Sequence, residues 1–302
     1  MRNHADISET TLLDFRAYLK LERALSTNTI ASYCADIQKY FALLKSRGVA
    51  PEAASADDIR SYLDQLVEAG VTKRSQARVL SSVKALYRFL DTEGRIEKNP
   101  CDKIAAPKLN TYLPTVLSVE EVLAILDSVD LSKPGGHRDR CILEVLYSCG
   151  LRVSELVNLK ISDIFLDEQF IRVFGKGNKQ RLVPIGEPAI QAIRLYRQDR
   201  NQGPVQKAAE DILFLNQRGG KLSRVSVFNL VKQQAAAAGI RKEISPHTFR
   251  HSFATHLVEI GADLRVVQQM LGHESILTTE IYTHIDTRKW QDTILKYHPS
   301  RP

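Results

Sequence analysis

A chain of 302 residues has material for two domains with cores of their own, and a formal charge of +7 favours a polyanionic partner. No run of about 18 apolar residues occurs, so no membrane span is expected, and MRNHADISET lacks an apolar signal core; a cytoplasmic protein follows. Cys34, Cys101, Cys141 and Cys149 form no C-x-x-C pair and sit mostly in apolar helical patterns, which reads as reduced core thiols rather than disulfides or zinc ligands.

The first hundred residues read as four amphipathic helices. Ser8 is the cap expected for the first, with Leu12, Phe15 and Leu19 on one side. Ser26 or Thr27 opens the second, which carries the stripe Ile30, Tyr33, Ile37, Phe41 and Leu44 and stops at Gly48. Ser55 opens the third, and the fourth runs from about Thr72 to Gly94. Between Lys73 and Leu90 there are five basic residues and no acidic one. At about 100° per residue, Arg74, Arg78, Lys84 and Arg88 fall in one stripe, opposite Val79, Leu80, Val83, Leu86, Tyr87 and Leu90. A solvated helix face usually mixes signs; a stripe of one sign points to contact with backbone phosphates.

Three prolines punctuate the stretch from Glu97 to Pro114, and each restricts itself and its predecessor to extended forms, which suits a linker. The boundaries read as a helical domain over 1–106, a linker over 107–115 and a second domain over 116–302. Ser118 and Glu121 make a capping box at the start of the second domain. An apolar helix through Cys141 and Tyr147 ends near Gly150, and Arg152 begins another helical turn. Glu155, one turn on, serves either to orient a basic neighbour or as a plain salt bridge. Gln169–Phe174 and Gln180–Ile185 alternate as paired strands around the turn GKGNK, whose tip carries Lys176; Lys179 and Arg181 are alternatives for a lysine-like role there. Helices are expected near Glu187–Asn201 and Val225–Ala238.

The stretch SPHTFRHSFATHLVEIGADLRVVQQMLGHESILTTEIYTH is the richest in chemistry. Ser245 and Pro246 begin a helix in which His247 and Arg250 are three apart and share a face, with Phe249, Phe253, Leu257 and Ile260 as its apolar run and Gly261 as its stop. A short second helix with Val266, Val267, Met270 and Leu271 stops at Gly272, ahead of His273 and Tyr282. Arginine, imidazole and phenol groups brought together suit chemistry at a phosphodiester. Arginine neutralises non-bridging oxygens in a planar, bidentate way. A tyrosine hydroxyl, with a free pKa near ~10, needs a base or charge stabilisation to attack. His247 and His251 have the i, i+4 spacing of metal ligands, but no H-E-x-x-H and no carboxylate at ligand spacing accompany them, so no metal site is expected. His251 and His256 read as structural.

At HTFRHSFATHL, LGHESILTTEIYTH, GLRVSELVNL and GKGNKQRLVP the sequence resembles the tyrosine recombinase family, of the lambda-integrase type. The motifs stand in family order and cover most of residues 116–285; within the family the chain most resembles the Xer-type recombinases that resolve chromosome dimers, and that likeness runs nearly end to end. The resemblance implies a mainly α fold with a small β-sheet, in which a helical core-binding domain and a catalytic domain clamp duplex DNA. It implies that Tyr282 is the nucleophile and forms a 3′-phosphotyrosyl bond. Arg152, Arg250 and His273 would stabilise phosphate charge, Lys176 would protonate the leaving 5′-hydroxyl, and His247 would help move protons. No cofactor is implied, since the covalent bond conserves the phosphodiester energy. The implied partners are a double-stranded recombination site, a homo- or hetero-tetramer with a related recombinase on paired sites, and a DNA translocase as activator. A mobile-element integrase or invertase, a type IB-like topoisomerase and a catalytically silent architectural protein are the competing readings. Glu280 departs from the glutamine of many relatives. The tail carries Trp290, Ile294 and Tyr297 near one helical face, which suits docking in a groove, as relatives do between protomers.

Overall fold

The computed structural model describes residues 4–107, 115–175 and 179–272. Lys176, His273, Glu280, Tyr282 and the tail with Trp290 lie outside the described residues. The chain divides into two compact units, Met1–Tyr112 and Leu113–Pro302, each with its own core.

The first unit is built from α1 (His4–Leu21), α2 (Thr27–Ser46), α3 (Ala56–Glu68) and α4 (Lys73–Thr92). Side-chain oxygens satisfy the orphan N–H groups at three helix starts: Ser26 accepts from Thr29 N at 3.2 Å, Ser55 from Asp58 N at 3.3 Å, and Thr72 from Ser75 N at 3.3 Å. Ser8 is not a cap. The helix runs back to His4, since residues 4–7 contain no breaker, and Ser8 lies one turn inside. Phe15, Ile37, Tyr40, Ile59, Val83 and Tyr87 form the centre of the core, each large apolar group worth about 1.5–3 kcal/mol on burial. The Tyr40 and Tyr87 hydroxyls satisfy each other at 2.9 Å. The expected extended path from Glu97 is corrected in part. Residues 99–104 form turns that return Cys101 and Ile104 to this core, because two apolar side chains three apart have a surface to bury.

In the second unit α5 (Val119–Asp127) opens with the reciprocal Ser118–Glu121 capping box. The central helix α6 (Gly136–Cys149) is buried at every residue from Cys141 to Cys149. A short α7 (Val153–Val157) leads to an antiparallel sheet of β1 (Ile164–Phe165), β2 (Phe170–Phe174) and β3 (Gln180–Pro184), in that spatial order. The two-residue β1 is shorter than any strand that alternation can reveal. Register pairs Val173 with Arg181 and Ile171 with Val183. Then follow α8 (Glu187–Gln202), α9 (Arg224–Ala237), α10 (Pro246–Glu259) and α11 (Leu264–Leu271). On α10, Phe249, Phe253 and Leu257 are buried as expected, but Ile260 is the C-cap residue and is 43% exposed, because the helix has ended and its side chain has left the core face.

His256 is structural. Its Nε2 lies 2.8 Å from Leu117 O, and a carbonyl only accepts, so that nitrogen carries the proton. Nδ1 then accepts from the Tyr147 hydroxyl at 3.0 Å. Leu117 N also donates to Ser252 Oγ at 2.9 Å, so two bonds fasten the entry to this unit onto α10. Among the described residues no helix is long and apolar enough to cross a membrane.

Candidate active site

The second unit gathers three arginines around one carboxylate. Gly150 ends α6 in the left-handed region at φ 58°, and a Cβ there would stand 2.5 Å from the Phe253 ring, so only glycine permits the turn. The turn sets Arg152 at the N-cap of α7. Its backbone N–H donates to Glu155 Oε2 at 2.8 Å and its Nη1 to Glu155 Oε1 at 2.9 Å. Arg250, on the buried side of α10, donates to Gly150 O at 2.7 Å and lies 4.0 Å from Glu155. Arg181, on the inward face of β3, holds both Glu155 oxygens at 2.7 and 2.8 Å.

The same three guanidiniums cap one helix end. α11 ends with carbonyls that have no helical partner and carry the negative end of the helix dipole. Met270 O accepts from Arg181 at 2.8 Å, Leu271 O from Arg250 at 2.6 Å, and Gly272 O from Arg152 at 3.2 Å. Residue 273 follows directly in sequence. Three cations and one carboxylate leave positive charge in excess. Burial lowers the Arg250 pKa, the neighbouring Arg152 charge lowers it further, and Glu155 pulls the other way. A site held in this state is suited to an anion. The Arg152 side chain is 36% exposed and keeps donors at Nε and its terminal nitrogens beyond the bonds above.

Arg152, Arg250 and Glu155 are thus brought together, and Glu155 orients Arg152 rather than forming an isolated surface pair. His247 is exposed in the first turn of α10 while Arg250 is buried, so their shared edge straddles the rim of the unit. His251 is half-buried. Arg181 is enclosed by three acceptors and is no substitute for a hairpin-tip proton donor; Lys179 is exposed at the hairpin base. Arg181 shares the parity of buried Val183 on β3, and a charge on the core face of a strand needs a fixed partner; that alternation is the sequence signal for its role. Among the described residues no group of three or more His, Cys, Asp or Glu side chains could hold a metal.

In the first unit the α4 stripe divides. Arg74 and Arg88 are exposed. Arg78 pairs with the buried carboxylate of Asp36 and donates to Ser32 Oγ at 2.8 Å. Lys84 donates to Ile104 O at 2.7 Å. A cleft of about 300 Å³ beside the stripe is lined by Tyr18, Arg23, Tyr33, Lys84 and Arg88 among others.

Comparison with known proteins agrees with this architecture. Residues 115–289 match the model of the phage integrase family, and residues 12–94 match that of the phage integrase N-terminal SAM-like domain. The chain is 48% identical over 292 residues to the tyrosine recombinase XerD of Chlorobaculum tepidum, covering 96% of each. It is 39% identical over 292 residues to the tyrosine recombinase XerD of Staphylococcus haemolyticus, covering 96% of this chain and 99% of that one. The solved XerA recombinase is 29% identical, with a TM-score of 0.50 over 97% of this chain and 100% of that one. The XerH recombinase solved with palindromic difH shares the fold, with a TM-score of 0.67 at 24% identity over 95% of each chain. The chain belongs to the phage integrase family, the tyrosine recombinases. Its activity is the site-specific breakage and rejoining of DNA strands.

Proposed function

We propose that this recombinase resolves chromosome or plasmid dimers by two rounds of strand exchange through a Holliday junction, with four protomers on two paired sites. Tyr282 attacks the scissile phosphate to form a 3′-phosphotyrosyl bond and release a 5′-hydroxyl. Arg152, Arg250 and His273 stabilise charge on the phosphate oxygens, Lys176 protonates the leaving oxygen, and His247 helps move protons. Residues 1–106 bind the core site through Arg74, Arg78, Lys84 and Arg88, residues 107–115 link, and 116–302 carry the chemistry. A related recombinase as second subunit and a DNA translocase as activator complete the assembly.

The observation that carries the catalytic part is the excess of positive charge at Arg152, Arg181 and Arg250 over Glu155, with Arg152 open at the rim. A phosphodiester anion relieves the strain of three neighbouring cations, and it does so more as charge builds in the transition state. The dimer-resolving role rests on likeness to the XerD relatives along 96% of the chain. The test is to trap protein–DNA adducts under denaturing conditions and sequence the attached DNA. Wild type is expected to carry one recurring sequence and Tyr282→Phe none, although Tyr282→Phe still binds that sequence. An adduct formed by Tyr282→Phe would remove Tyr282 as nucleophile, and attached DNA without a common sequence would remove the site-specific role.

A further inference from the structure

Arg181 is a buried cation to which the roles above assign no contact with substrate. It stands 6% exposed on the core face of β3, opposite Val173. An arginine in that position is strongly unfavourable through lost hydration unless its donors are met. Here they are. Nε donates to Met270 O at 2.8 Å, and Nη1 and Nη2 grip the two Glu155 oxygens in parallel at 2.7 and 2.8 Å. This is a fork-to-fork pair of defined geometry, joined by the third donor to another element.

We propose that Arg181 is a positioning residue for strand cleavage. It binds the β2–β3 hairpin, the Glu155–Arg152 pair and the C-terminal end of α11 into one fixed frame. The proposal deepens the catalytic reading above and rests on it.

Three observations support it. Arg181 lies near the start of β3 where it pairs with β2, five residues after Lys176 in sequence. Gly175 N donates to Lys179 O at 2.8 Å there, and a Cβ at Gly175 would stand 3.8 Å from Arg181 Nη1. Second, its partner Glu155 fixes Arg152 through both backbone and side chain. Third, its stem fills the space beside Gly272, where a Cβ would approach Arg181 Cδ to 3.1 Å. Arg152 and Arg250 each hold one terminal carbonyl of α11, and in the catalytic reading above these two are the arginines that meet the phosphate. Arg181 is sealed from substrate and keeps its grip on Met270. It is therefore the member that holds α11 while the other two are recruited. A lysine keeps the charge but is a single-point donor, and it cannot span Glu155 and Met270 together.

The test uses full-length Arg181→Lys and Arg181→Gln with a nicked duplex carrying the sequence recovered from the wild-type adduct. Cleavage is measured at saturating protein beside site affinity, with hydrogen exchange followed over residues 264–272. Both variants are expected to cleave about 10²-fold more slowly, the scale of a ~1 Å misplacement, with affinity within about threefold of wild type and faster exchange at 264–272. Arg181→Lys cleaving within about threefold of wild type overturns the proposal, since charge alone would then suffice. Unaltered exchange at 264–272 overturns it too. Should either single variant fail to fold, Arg181→Gln/Glu155→Gln removes both charges and keeps polar groups of similar shape. Slow cleavage with fast exchange in that double variant supports the frame, and wild-type cleavage refutes it. Absence of a wild-type adduct would defeat the catalytic reading itself, before Arg181 is tested.

Discussion

Replacing Glu155 with glutamine deletes the one negative charge among three guanidiniums and keeps the size of the side chain. The Glu155 side chain is 2% exposed, while those of Arg181 and Arg250 are 7% and 9% exposed. Removing one partner of a buried ion pair costs about 3–5 kcal/mol, because the remaining charge is left without compensation. For a unit the size of Leu113–Pro302, each kcal/mol moves Tm by about 2–4 °C. Calorimetry of full-length Glu155→Gln should therefore show the transition of this unit lowered by about 6–20 °C. The pH dependence gives a second measure. Burial raises the Glu155 pKa, but hydrogen bonds and charge from Arg181, then Arg152, outweigh it and hold the carboxyl below its ordinary value. With the folded value depressed, the stabilisation is in force above the unfolded value near ~4.3 and is lost as pH falls through the folded value. Wild type should thus lose Tm more steeply than Glu155→Gln on acidification below about pH 4.3. A Tm shift under about 2 °C at neutral pH, or parallel acid limbs, would refute the claim that this carboxylate holds the cluster together.

Lys176→Ala should fail to cleave ordinary DNA yet be rescued on a 5′-bridging phosphorothiolate, whose thiolate leaves without a proton; equal defects on both substrates would remove the general-acid role, and rescue confined to Lys179→Ala would move it there. Arg74→Ala and Arg88→Ala should each lower the salt dependence of DNA binding by roughly one unit of slope per lost phosphate contact at unchanged Tm, whereas an unchanged slope would mark a merely solvated face. Arg78→Ala should in addition destabilise the first unit by about 2 kcal/mol, measured by denaturant titration, because Asp36 loses a cationic partner while buried and keeps only neutral donors such as Ser82 Oγ at 2.8 Å.

The elements and the kind of chemistry were legible in the sequence. Ser26, Ser55, Thr72 and Ser118 act on N–H groups three residues away, so their caps are local facts, and Gly150 and Gly272 are stops for the same reason. The four linked motifs named Arg152 and Arg250 as partners by resemblance. Tertiary structure decided what those arginines bind. Arg152 reaches Gly272 across 120 residues, Arg181 reaches Met270 across 89, and Arg78 finds Asp36 across 42. Periodicity reports which face a residue occupies, and it placed Arg78 in a free stripe without showing the carboxylate under it. Likewise, the prolines marked Glu97–Pro114 as extended chain without showing the core surface to which Cys101 and Ile104 return. Burial makes an unpaired charge so costly that Arg181 must find Glu155, yet which carboxylate lies within reach is fixed only when β3, α7 and the end of α11 pack together.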